Sequence, residues 1–192
     1  MLSSYLLVHQ FKTVSYKKGA VIYERGQIPR YVFFIKSGEI RMVTVNDDGK
    51  EFIQGIFKSP QYFGEPALLL QRPYLAYTIA SVDTELIQVD HSHFMKLLEE
   101  DRVFSMDLIK TLSSRLFYKS MMLEELGNEQ AEHRLKTLIN YLGQDLEKGM
   151  DLGVTRQALA DMSGLRVETV IRTIKKMAAA GEVSLSKGKI IR

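Results

Sequence analysis

The chain contains no cysteine among its 192 residues. That absence excludes structural disulfides, thiolate zinc sites, cysteine-ligated iron–sulfur clusters and thiol catalysis together. Prolines number only four, while 45% of residues are hydrophobic and 26% charged, a composition that can build a core and does not read as disorder. No stretch approaches the roughly 18–20 apolar residues needed to span a bilayer. Met1–Gln10 lacks both the basic start and the apolar run of a signal peptide. A cytoplasmic protein with no membrane partner is therefore expected. No nucleophile elbow, zinc motif or P-loop occurs, so no enzyme is expected. The histidines at His9, His91, His93 and His133 are scattered, and the i,i+2 spacing of His91 and His93 puts them off a common helical face, so no metal site is expected.

What is present is unevenly distributed. Between Thr155 and Arg192 eight Lys/Arg face three acidic residues, a net +5 that leaves −2 for the first 154 residues. A basic end on a slightly acidic body suits a polyanionic partner, although a solvated lysine-rich face would look the same by charge alone.

The first ~90 residues alternate and turn like an antiparallel β structure. Runs at Ala20–Tyr23, Tyr31–Lys36, Glu39–Val45, Glu51–Phe57, Tyr77–Ile79 and Glu85–Val89 read as strands separated by glycine-bearing turns. Asn46-Asp47-Asp48-Gly49 between two of them is a hairpin signal, because these residues tolerate the positive φ of tight turns. Many short strands at this spacing predict a jelly roll.

The period then changes. From His93 to Leu126 there is neither glycine nor proline, and Ile109, Leu112, Leu116, Lys119, Leu123 and Leu126 recur at intervals of 3-4-3-4-3. A 3.5-residue period keeps one face against a partner helix, which predicts a two-stranded dimer seam. The competing reading is a helix packed on its own β domain through Phe104, Leu108 and Phe117. Gly127-Asn128 should end this helix, and Ala131–Glu147 reads as a further amphipathic helix.

Near the C-terminus, Thr155 is a plausible N-cap for a short helix carrying Ala158, Leu159, Ala160 and Met162. Ser163-Gly164-Leu165 breaks it, and a second helix runs from about Val167 to Ala180. Two short helices joined by a glycine-centred turn form a helix-turn-helix. Val170, Ile174 and Met177 share the face expected to pack on the first helix. Gly181–Ile191 then reads as a hairpin turning at Lys187-Gly188, which is a wing.

The string Thr155-Arg156-Gln157-Ala158-Leu159-Ala160, then Gly164-Leu165, Glu168-Thr169-Val170-Ile171-Arg172, Gly181 and Lys187-Gly188-Lys189 resembles the winged helix of the Crp/Fnr family of bacterial regulators. The resemblance extends over nearly the whole chain, since that family also has a cyclic-nucleotide-binding-type β-roll and a long dimer helix. It implies an α+β fold: an N-terminal double-stranded β-helix or jelly roll (1–92), a long dimerisation helix (93–127) and a C-terminal winged helix-turn-helix (128–192). It further implies a homodimer held through Ile109, Leu112, Leu116, Leu123 and Leu126. Such a dimer would read a palindromic double-stranded operator and, as an activator, would touch RNA polymerase. Glu168 and Arg172, four apart on one helical face, are the implied base readers: Arg can donate twice to guanine and Glu can accept from cytosine N4. An ordinary i,i+4 ion pair is the alternative for these two. Val167 offers apolar contact to a thymine methyl, and Ile171 departs from the small residue common in the family, which leaves the half-site open. Thr155, Arg156, Gln157, Arg166, Thr169, Lys175 and Lys187 are the expected backbone contacts.

Phe63-Gly64-Glu65-Pro66-Ala67-Leu68-Leu69 resembles the start of the family's phosphate-binding cassette, in which the glycine and a helix start offer N–H groups and the Glu takes a ribose hydroxyl. Tyr74 stands where the cassette needs the arginine that clamps the cyclic phosphate, and Arg72 lies two residues early. Losing a charge-assisted Arg–phosphate bond argues against cAMP. Another small effector in a pocket at Gly64, Glu65, Arg72 and Tyr74, or a domain kept as scaffold, stays open. The remaining alternative is a cyclic-nucleotide-binding module that acts through protein partners.

Overall fold

The computed structural model describes residues 11–127 and 130–191. His9, Asn128 and the Met1–Gln10 stretch lie outside the described residues. The described chain divides into two compact units between Thr111 and Leu112.

The first unit is a roll of two four-stranded antiparallel sheets. One orders β1 (Lys12–Tyr16), β8 (Thr84–Asp90), β3 (Tyr31–Ser37) and β6 (Tyr62–Phe63). The other orders β2 (Val21–Tyr23), β7 (Tyr77–Ala80), β4 (Glu39–Val45) and β5 (Glu51–Lys58). The expected hairpin is there: Gly49 adopts φ 76° and the Asn46 side chain accepts from the Lys50 amide at 2.8 Å. Strands β1 and β6 lie outside the runs read from sequence. The inner faces close over an aromatic-rich core of Tyr23, Phe33, Ile35, Ile40, Phe63, Tyr74 and Leu86. The short helix α1 (Glu65–Leu70) follows β6.

The two sheets approach closely at Gly38, which joins β3 to β4 at φ 94°. A Cβ there would sit 2.7 Å from both the Asp83 carbonyl oxygen and the Thr84 Cα, backbone that cannot yield. Gly38→Ala combines left-handed strain with a backbone clash and is expected to cost at least about 2 kcal/mol. Thermal melting followed by near-UV circular dichroism should show a drop of roughly 4–8 °C.

Helix α2 (His91–Glu100) is capped by Asp90, which accepts from the His93 amide at 3.0 Å and the Ser92 hydroxyl at 2.6 Å. The Ser92 bond leads a set of interactions that hold the Asp90 carboxyl down at about 2. The uninterrupted helix expected from His93 to Leu126 is corrected here, because two helices occupy that span: α2 and α3 (Arg102–Gly127). Asp101 separates them at φ −110°, ψ 88°, and its carboxylate accepts from the Phe104 amide at 2.9 Å, opening the second helix as an N-cap would. Phe104 and Leu108 are buried, with Phe104 against Phe34, Tyr62 and Phe94.

The second unit holds the rest of α3, then α4 (Ala131–Gly143), α5 (Arg156–Ser163), α6 (Val167–Ala179) and the ribbon of β9 (Ser184–Ser186) and β10 (Lys189–Ile191). Helix α4 stops at Gly143, four residues short of the expected Glu147, where a turn bonds the Gln144 amide to the Tyr141 carbonyl.

Candidate nucleic-acid interface and effector pocket

Thr155 caps α5 as its residue type suggests, its hydroxyl accepting from the Ala158 amide at 3.0 Å. Gly164 then turns the chain at φ 68°, a left-handed conformation that costs glycine nothing. Helix α6 buries Val170, Thr173, Ile174 and Met177 against the body of the unit. Its other side carries Glu168, Ile171, Arg172, Lys175, Lys176 and Ala179, which together line one shallow groove. Glu168 and Arg172 make no ion pair with each other, and neither they nor Lys175 hydrogen-bonds another described side chain. An i,i+4 surface pair therefore does not account for them. Both heads are exposed and available to a ligand.

The remaining expected contacts are placed unequally. Arg166, Lys175 and Lys187 are exposed, whereas Val167 and Thr169 are half-buried at the start of α6. Gln157 donates to the Asp161 carboxylate at 2.9 Å. The Arg156 guanidinium donates to the carbonyl of Gly188, 32 residues away, and so ties α5 to the tip of the wing. That tip is the two-residue turn read from sequence, with Lys187 at φ 46° and Gly188 at φ 80°. Lys176 is engaged with Glu132 at 2.9 Å and Lys136 with Glu182 at 2.8 Å, bonds that hold α6 and the base of the wing to α4.

One buried polar group was not legible in the sequence. Glu125, near the end of α3, is buried. Its carboxylate accepts from His133 Nδ1 at 2.8 Å and the Thr137 hydroxyl at 2.9 Å, and its backbone carbonyl accepts from Arg134 Nε at 3.0 Å. Arg134 donates onward to the Ser163 carbonyl in the turn before α6 at 3.2 Å. Burial alone would raise the Glu125 carboxyl, but the bonds from His133 and Thr137 outweigh it and hold the group below its ordinary value. A signal was available: Phe104, Leu108, Thr111, Arg115, Tyr118, Met122 and Glu125 form a second 4-3-4 series on α3. Tyr118 in that series stacks on Tyr141 of α4 with ring centroids 4.5 Å apart.

The residues expected from their spacing to form a dimer seam lie on a different face. Ile109, Leu116, Leu123 and Leu126 are exposed, at 67% for Leu116 and 72% for Leu123, while Leu112 is half-covered. Phe117, offered above as a contact with the β domain, is 71% exposed. Lys119 stands in the same series. Partial burial and the neighbouring Arg115 charge push its ammonium below the usual lysine range.

In the first unit, Gly64 adopts φ 92°, and a Cβ there would come 3.2 Å from the Tyr31 carbonyl and 3.7 Å from the Tyr74 hydroxyl. The crowding that demands glycine thus comes from the protein itself. Glu65 is fully buried at the first turn of α1. Tyr74 is 5% exposed, stacks on Tyr23 at 3.6 Å with the rings 7° apart, and donates to the Tyr31 carbonyl at 3.3 Å. Burial, and after it the Glu65 carboxylate, push its phenol well above the usual tyrosine range. Arg72 is exposed on the loop before it and does not line the cleft that Tyr74 borders. The position that would grip a phosphate is thus held by a neutral ring built into the core. No helix among the described residues is long and apolar enough to cross a membrane, and no cluster of metal-ligating side chains occurs among them.

A β-roll followed by a winged helix-turn-helix whose second helix has an exposed, basic face defines a class: regulators that join a sensor-type domain to a DNA-reading one. Residues 13–101 match the model of the cyclic nucleotide-binding domain, and residues 133–192 that of the Crp-like helix-turn-helix domain. Among curated proteins, the chain is 26% identical over 186 residues to a cyclic AMP receptor protein of Thermus thermophilus, covering 96% of this chain and 85% of the relative. It is 24% identical over 184 residues to a global nitrogen regulator of Nostoc, covering 92% and 82%. Among solved structures, FixK2 of Bradyrhizobium japonicum superposes with a TM-score of 0.78 at 22% identity, covering 95% of this chain and 92% of that one. A double mutant of CooA from Carboxydothermus hydrogenoformans gives 0.82 at 23%, covering 94% and 82%. The chain belongs to the Crp/Fnr family of transcriptional regulators.

Proposed function

We propose that the protein works as a homodimer that binds a palindromic operator, each α6 lying in a major groove with Glu168 and Arg172 on base edges and Val167 against a thymine methyl. The observation that carries this reading is the division of α6 into a buried apolar face and an exposed face whose Glu168, Arg172 and Lys175 are not engaged elsewhere. Thr155, Arg156, Gln157, Arg166, Thr169, Lys175 and Lys187 contact the phosphates. Arg156 does so with the guanidinium N–H groups not used on Gly188, so that the wing tip and the backbone contact are set by one side chain. Two seams of Ile109, Leu112, Leu116, Leu123 and Leu126 pair the protomers. An activator of this design touches RNA polymerase, and the setting is the cytoplasm.

A small effector gates the β-roll, and the residues present do not fit a cyclic nucleotide. Tyr74 supplies no charge where the phosphate would sit, and Arg72 is exposed on the loop before it. An action through protein partners alone is not favoured, because the exposed chemistry of α6 suits base edges.

The test is selection of bound sequences from a random DNA pool, followed by titration over a salt series. A palindrome with two half-sites should emerge, and log K should fall linearly with log salt with a slope near −0.9 per neutralised phosphate. Recovery of no sequence preference, or affinity insensitive to salt, would sink the reading.

A further inference from the structure

We propose that a cleft on the β-roll, opening above the Tyr23–Tyr74 stack, binds a planar aromatic monocarboxylate. The cleft has a volume of about 530 Å³, within the range of small-molecule sites. Its floor is aromatic and rigid: Tyr23, Phe33 and Tyr74 are each at most 5% exposed and belong to the core. Tyr31 stands over them, its ring tilted 68° to Phe33 with the centroids 6.2 Å apart. The half-buried Tyr31 ring and the edges of the floor rings favour a flat ring, which gains edge contacts that a saturated ring of equal area does not.

The charge is equally restrictive. Among the described lining residues Arg30 is the one cation and none is a carboxylate. Its guanidinium is exposed at the rim and makes no hydrogen bond or ion pair with another described residue. A guanidinium presents two parallel N–H groups, which match the two oxygens of a carboxylate. The opposite wall is polar but neutral, with Gln88 bonded to the Tyr16 hydroxyl. One ring and one carboxylate at the rim match the aromatic lining and its single guanidinium. Neither Gly64 nor Glu65 lines it, so this site is separate from the cassette, although Tyr74 belongs to both.

The proposal names the chemistry of the effector that the proposed function leaves open, but it is tested without DNA, so its failure leaves the DNA-reading assignment untouched. Full-length protein would be titrated by isothermal calorimetry with 2-naphthoate, 2-naphthamide, trans-decalin-2-carboxylate and cAMP. Saturable binding of naphthoate is expected, with the other three each weaker by roughly tenfold or more. Arg30→Gln, an exposed substitution with an unchanged melting curve, should weaken naphthoate about tenfold and leave naphthamide unaltered, and Arg30→Lys should recover part of the loss. No saturable naphthoate binding up to millimolar concentration would overturn the proposal. So would naphthamide, the decalin acid or cAMP binding as tightly as naphthoate, or an affinity for naphthoate unchanged in Arg30→Gln.

Discussion

Replacing Leu116 and Leu123 together with glutamate is expected to leave a folded monomer. Both side chains are largely exposed in the single chain, so nothing within one protomer depends on them. Across a two-fold seam they would be the most completely covered groups. Burying a leucine contributes about 1.5–3 kcal/mol, and four leucines are lost per dimer, so the change removes on the order of 6–12 kcal/mol before the repulsion of facing carboxylates is counted. A micromolar dimer is held by only about 8 kcal/mol. The seam therefore cannot survive the substitution. Sedimentation should report a monomer with an unaltered far-UV spectrum, and operator affinity should fall by roughly 10²–10⁴-fold, because the second half-site no longer binds intramolecularly. A variant that stays dimeric would show that the protomers meet elsewhere. Lys119 in the same series predicts the opposite sign: Lys119→Leu should tighten the dimer while weakening its choice of register, since a single polar seam residue costs stability and specifies alignment.

The second large effect concerns Arg172. Alanine at this position should cost about 1–3 kcal/mol per half-site, a factor of roughly 5–150, and the loss should be confined to the preferred sequence. Non-specific affinity, carried by phosphate contacts, should change little. Lys175→Ala is the control, expected to weaken all sequences alike and to reduce the salt slope by about one. Anisotropy titrations on the selected operator and on a scrambled duplex distinguish the two. If Arg172→Ala lowered both affinities equally, it would be a phosphate contact, and the base-reading role would pass to another residue.

Much of this architecture was legible in the sequence because it is written locally. Turn chemistry fixed the hairpin at Asn46–Gly49 and the wing turn at Lys187-Gly188, and the N-cap at Thr155 followed from residue type and spacing. The apolar spacing of Val170, Ile174 and Met177 gave the buried face of α6. The strands that escaped, β1 and β6, are a partly exposed sheet-edge strand and a two-residue strand, too weakly patterned to stand out. The break at Asp101 escaped because it needs no glycine or proline; a single aspartate closes one helix and caps the next. Non-local pairings carried no local mark at all. Nothing near Arg156 announces Gly188, and nothing near Tyr74 announces the ring of Tyr23 beneath it. The periodicity of α3 was read once and holds two messages, an outward apolar series and an inward series ending at Glu125.

That inward series bears on how a signal could reach DNA. With Glu125 bonded to His133 and Thr137, and Arg134 bonded to both the α3 terminus and the Ser163 carbonyl, the last turns of α3 are tied by hydrogen bonds to α4 and to the end of α5. In the proposed dimer, a rotation of α3 carried through these bonds would turn the two α6 helices together. What an effector would have to change is the phase between two readers, which DNA measures in fractions of a helical turn.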